Sequence, residues 1–238
     1  MPGLPLPESP LAFVCAVLLG MAAGYYAWRV GQRYGAGLRA GQVPDAALML
    51  KALGLGTTNH TVVPPERWRA VLAGVCLAAA YGWLCCQPLS AGPGMALMLL
   101  LWMLLVLACI DLQCSLLPDA LTLPLLACGI ATAVMGFGQV SALASLFAAA
   151  IAYAVLLGLG YLFRRWRGRE GLGGGDIKCM AAIAAWSGLQ GLFLILVVAS
   201  LFGLGYALLR GRSGLSASYP FGPCLLLAST VWLVLVIR

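Results

Sequence analysis

Three of the seven carboxylates in this chain border long apolar runs, where an acid is least expected. Asp111 closes the run LWMLLVLACI, Asp119 opens ALTLPLLACGIA, and Asp176 follows three glycines in GLGGGDIK, just ahead of CMAAIAAWSGL. The other four, Glu8, Asp45, Glu66 and Glu170, fall in tails or loops, where a charge is easily solvated. Ionisable groups at membrane depth are rare and mark a pathway or a reaction site. The chemistry open to such a set is acid–base chemistry. Two carboxylates facing one cavity repel and share a proton. One then acts as base on a water while the other donates a hydrogen bond to a carbonyl. Asp111 sits at the C-terminal end of its segment, where the helix dipole disfavours an anion, and Asp176 at an N-terminal end, where the dipole favours one. Asp111 is therefore expected to be preferentially protonated and Asp176 ionised, as a bias within a coupled pair. Asp119, between Pro118 and a helical pattern, reads as an N-cap.

Gly173, Gly174 and Gly175 can take backbone angles closed to other residues and let a second backbone come close, as an extended peptide would need to do. Taken alone, the same residues also suit a plain interhelical turn. They do not form a phosphate loop, because the Gly–Lys–Ser/Thr ending is missing. The one histidine, His60, stands in the polar stretch TTNHT and reads as solvated. The nine cysteines lie mostly in apolar runs without a CxxC spacing, and read as small buried hydrophobes.

These residues must be held by helices in a membrane. The chain is 63% hydrophobic and 9% charged, against about 25% charged in an ordinary soluble domain. A spanning helix needs roughly 20 apolar residues. Qualifying segments run approximately over 10–28, 70–87, 95–111, 120–137, 141–163, 177–190, 191–209 and 220–237. The expected fold is an all-α polytopic membrane protein of about eight transmembrane helices, in a single membrane domain over 1–238. Seven spans result if the sixth and seventh segments form a half-depth hairpin around Gly188 to Gly191. The basic residues favour the cytoplasmic side. They fall between spans one and two (Arg29, Arg33, Arg39, Lys51, Arg67, Arg69), five and six (Arg164, Arg165, Arg167, Arg169, Lys178), and seven and eight (Arg210, Arg212), leaving Arg238 alone. This puts the N-terminus outside, the loop 29–69 in the cytoplasm, and all three aspartates at cytoplasmic ends. Within that loop DAALMLKAL suits a short helix capped by Asp45. The net charge of +7 is then an orientation signal and a contact for lipid headgroups rather than a nucleic-acid patch. The first segment has no basic stretch before it, so a cleaved signal peptide is not expected.

Three blocks resemble the type IV prepilin peptidase family, membrane aspartic proteases of the GxGD kind. They are IDLQCSLLPDALTLPLL (110–126), GLGGGDIKCMAAIAAWSGL (171–189) and YPFGPCLLLAS (219–229). The resemblance implies an aspartic endopeptidase of the bacterial inner membrane. It would cleave the basic leader from type IV prepilins or related pseudopilins at the cytoplasmic face, for pilus biogenesis or type II secretion. It implies Asp111 and Asp176 as the catalytic pair. Asp119, Pro118, Gly173, Gly174, Gly175 and Lys178 would be supporting residues, Lys178 biasing Asp176 toward ionisation or touching substrate. Peptidase chemistry of this kind needs no metal and no cofactor. Longer family members carry two CxxC pairs in the first cytoplasmic loop, whereas residues 29–69 here contain no cysteine, which excludes a zinc site there on ligand grounds. Methylation of the new N-terminus is left open, and S-adenosylmethionine enters only if that activity is retained. Cys114, Ser115 and Cys179 also depart from the family pattern.

Two other classes use the same residues differently. A small proton-coupled transporter or channel would employ the aspartates as ion ligands, but it predicts acids near mid-membrane and a repeat between the halves of the chain. A scaffold subunit would tolerate loss of the aspartates.

Overall fold

A computed structural model describes residues 9–55, 66–168, 173–209 and 220–237. His60, Glu8, Glu170, Arg169, Arg210, Arg212, Tyr219 and Arg238 lie outside the described residues. The elements are all helical: α1 (Pro10–Arg39), α2 (Ala46–Ala52), α3 (Arg67–Cys85), α4 (Ala91–Cys114), α5 (Asp119–Val134), α6 (Ala142–Arg167), α7 (Gly174–Leu209) and α8 (Gly222–Val236). Among the described residues there is no strand. Five helices, α1, α3, α4, α6 and α7, are long and apolar enough to cross a bilayer, and α5 and α8 are shorter apolar helices. The chain is a multi-pass membrane protein.

At 36 residues α7 would be about 54 Å long if straight, well beyond a hydrocarbon core of about 30 Å. It breaks at Gly188, whose φ of 69° and ψ of 177° are not helical. The expected turn over Gly188 to Gly191 thus narrows to one residue, and eight apolar segments follow one another along the chain.

Two helices run further than the apolar pattern alone indicates. Residues 29–39, expected as loop, continue α1. Ser9 caps its start by accepting from the Ala12 N–H at 3.3 Å, and Gly41 in the left-handed region (φ 81°) follows its end. The extension is held because Trp28, Val30, Gly31, Gln32, Tyr34, Gly35 and Gly37 are buried, a packing face that composition does not reveal. Arg164, Arg165 and Arg167 likewise form the last turn of α6 rather than a loop.

The chain divides into two compact units, Met1–Cys114 with Leu233–Arg238, and Ser115–Trp232. In the first, α1 and α3 are antiparallel and very close. A Cβ on Gly20 would stand 2.7 Å from Ala78 Cα, and one on Gly24 would stand 2.4 Å from the Ala73 carbonyl. In lipid, apolar area gives little drive for helix association, so small residues that let backbones touch do that work. Gly31 meets Cys109 and Gly35 meets Gln113, so α4 runs parallel to α1. The C-termini of α1 and α4 and the N-terminus of α3 therefore share the end that bears the basic residues. The short helix α2 forms as expected, with Asp45 accepting from the Leu48 N–H at 2.8 Å. It is tied to α1 at its other end: Tyr26 Oη donates to the Leu53 carbonyl at 2.6 Å and Arg33 Nη1 to the Ala52 carbonyl at 3.4 Å.

In the second unit α5 runs parallel to the first half of α7 and α6 runs antiparallel to it. Leu117 lies beside Gly175, and Gly129 lies beside Trp186. Trp186 Nε1 donates to the Leu125 carbonyl at 2.9 Å, and Ser145 Oγ to the Ala185 carbonyl at 2.7 Å, pinning all three helices at one level. Beyond the break, Gly191 packs on Trp232 of α8.

Candidate active site

Asp111 is carried by the first unit, in the last turn of α4, and is 5% exposed. Its neighbours two residues to either side, Cys109 and Gln113, face α1, so Asp111 is turned to the other side of α4.

The remaining candidates are carried by the second unit, at the adjacent starts of two parallel helices. Gly173 precedes α7 and its carbonyl accepts the Ile177 N–H at 3.2 Å, which places Gly174, Gly175 and Asp176 in the first turn. The half-exposed carboxylate of Asp176 folds back over that turn: Oδ2 would stand 3.1 Å from a Cβ on Gly173. The three glycines are not equivalent. Around Gly174 a Cβ would meet nothing within 4 Å, whereas on Gly175 it would be 2.8 Å from the Leu117 carbonyl oxygen. That contact seats α7 against the turn leading into α5.

One expectation is corrected. Asp119 is not the N-cap of α5. The buried Pro118 holds that position without a side-chain bond, and Asp119 is the first helical residue. Its carboxylate instead receives Lys178 Nζ at 2.5 Å. Lys178 thereby bridges the starts of α7 and α5. Nothing local in the sequence announces a pair separated by 59 positions. The seat of Gly175 on Leu117 is equally invisible there.

Asp111, Asp119 and the GGGDIK turn all fall within residues 98–208, and this segment matches the type IV leader peptidase family. The curated relatives agree. The chain is 42% identical over 146 residues to the prepilin leader peptidase/N-methyltransferase of Aeromonas salmonicida strain A449, covering 60% of this chain and 49% of that protein. It is 41% identical over 155 residues to the protein of that name from Aeromonas hydrophila, covering 62% and 52%. It is 41% identical over 145 residues to the one from Pseudomonas aeruginosa, covering 59% and 49%. The chain thus spans about half the length of the curated relatives it matches. No solved structure matches it. The leader peptidase segment ends one residue short of the end of α7 and holds every candidate residue named above.

Proposed function

We propose that this chain is an aspartic endopeptidase that removes the leader of type IV prepilins or pseudopilins, with Asp111 and Asp176 as its catalytic pair. The observation that carries the reading is Asp176 in the first turn of α7, behind a glycine turn, inside a leader peptidase segment. The ionised carboxylate takes a proton from water as its oxygen adds to the scissile carbonyl. The protonated partner, Asp111 by the helix-end argument, gives its proton to the carbonyl oxygen. As the tetrahedral diol collapses, one hydroxyl proton returns to Asp111, the C–N bond breaks, and the departing amine takes up a proton from Asp176, the carboxyl that accepted one. No covalent enzyme intermediate, metal or cofactor enters these steps.

The enzyme would lie in the bacterial inner membrane, with lipid around its apolar helices and the basic helix ends toward the cytoplasm. The relatives' name includes N-methyltransferase. In this chain that activity would need S-adenosylmethionine, and it would proceed without the cysteine ligands that residues 29–69 lack. Nothing in the structure favours the transporter or scaffold reading.

The test is co-expression with a prepilin and measurement of leader loss. Asp111→Asn and Asp176→Asn each reduce cleavage by about 10²–10⁴-fold, the usual yield of positioned acid–base groups. Asp119→Asn keeps residual cleavage. Normal processing by either of the first two refutes the assignment.

A further inference from the structure

Four consecutive residues fix how the start of α7 is turned. Gly175 seats on Leu117, Ile177 lies against α6 at Gly160, and Lys178 reaches Asp119 at the start of α5. Successive helical residues are rotated by about 100°. Gly175 and Lys178 therefore share the α5 face, and Ile177 takes the α6 face. Asp176, about 200° from Lys178, is directed away from the α5 face. The glycine turn supplies no side chains of its own. The Gly175 contact limits how near α7 comes to α5, Ile177 bears on α6, and the Trp186 bond holds α7 to α5 about two turns further on. At the first turn itself, Lys178 is the side chain that reaches α5.

We propose that the Asp119–Lys178 pair is a strut that sets the rotation of the first turns of α7, and so the direction in which the Asp176 carboxylate points. Both are positioning residues and neither touches the reacting atoms. The kinetic part of the proposal rests on the peptidase reading, and the geometric part does not. The two side chains are 36% and 55% exposed, so the pair adds little to global stability. Its effect is local, on geometry to which proton transfer is sensitive.

The experiment uses the full chain in nanodiscs with four variants. Asp119→Asn and Lys178→Met remove the pair, while Asp119→Glu and Lys178→Arg keep it. Hydrogen exchange over residues 173–180 needs no activity. It is expected to accelerate about fivefold or more in the first two and to stay near wild type in the others. With a prepilin substrate, kcat falls about tenfold in the first two with KM within twofold, as a misplacement of about half an ångström predicts. The pair-keeping variants retain at least half of wild-type kcat.

Unchanged exchange and kcat in Asp119→Asn and Lys178→Met overturn the strut. So does equal loss in the pair-keeping variants, and so does a change in KM rather than kcat, which would put these groups on the substrate. If the wild-type chain cleaves no prepilin while the exchange pattern holds, the peptidase reading falls and the strut stands.

Discussion

Replacing Gly175 by alanine separates the seat of α7 from the mere presence of glycine. A Cβ there would stand 2.8 Å from the Leu117 carbonyl oxygen and 3.1 Å from Leu117 Cβ. Ordinary C···O contacts begin at about 3.3 Å and carbon–carbon contacts at about 3.5 Å. The start of α7 must therefore move by about half an ångström, because the obstacle is backbone rather than the end of a flexible side chain. Overpacking of this kind costs about 1–3 kcal/mol. Alanine returns up to about 1 kcal/mol of helix propensity. The net change is a destabilisation of about 0–3 kcal/mol, set against a shift that carries Asp176 with it. If a misplacement of about 1 Å costs about 10²-fold, half of that costs about tenfold in kcat. Gly174→Ala isolates the propensity term, since its Cβ meets nothing within 4 Å. The assay is leader cleavage by both variants in matched amounts, with thermal unfolding of each in the same detergent. Gly175→Ala unfolds below Gly174→Ala and turns over about tenfold more slowly than wild type. Equal unfolding temperatures and equal turnover in the two variants would refute the seat on Leu117.

The helix-end argument predicts different proton occupancy for the two catalytic candidates. Isotope-edited infrared spectra near pH 5 should show more protonated carboxyl from Asp111, in the Asp176→Asn chain, than from Asp176, in the Asp111→Asn chain. Identical deprotonation in both removes the asymmetry. Gly188→Ala forces a left-handed angle on an L-residue and brings a Cβ to 3.0 Å from Val140 Cγ1, so it should destabilise the chain by about 1–2 kcal/mol. An unfolding temperature no lower than wild type would contradict the break at Gly188. Tyr26→Phe and Arg33→Met each remove a bond that ties α2 to α1, each worth about 1 kcal/mol. Exchange over residues 46–53 should accelerate in both, and protection equal to wild type would show that α2 holds without them.

Most of the helices were legible because long apolar runs have few outlets other than a membrane span, and because Gly188 interrupts a run too long for one. The start of α2 was legible too, since Asp45 and the residues after it carry a local capping pattern. The extension of α1 to Arg39 was not. Its C-terminal part is polar enough to pass for a loop, and it is helical because Gly31 and Gly35 let α4 come close, a contact between residues about 80 positions apart. Asp119 shows the same limit at the candidate site. A Pro–Asp pair before a helix carries a strong local expectation of capping, yet the carboxylate is drawn to Lys178 across two helices. The candidate residues were legible because acids in an apolar chain are conspicuous by type alone. Their partners are set by packing, which has no local signature.

The charges at the end of the second unit where α5 and α7 begin follow from the direction of the helices that carry them. Since α6 is antiparallel to α5 and to the first half of α7, its C-terminus lies at the same end as their N-termini. Each charge there matches the dipole of its own helix. Arg164, Arg165 and Arg167 occupy the last turn of α6, where carbonyls favour cations, and Asp119 and Asp176 occupy first turns, where amides favour anions. The arginines are thus accounted for by the helix that carries them, and need not be read as a surface for an anionic substrate. Beside them Trp166 is 81% exposed, and an aromatic ring of that kind settles at the level of the lipid headgroups. Lys178, by contrast, is answered within the protein, by Asp119 at the start of α5.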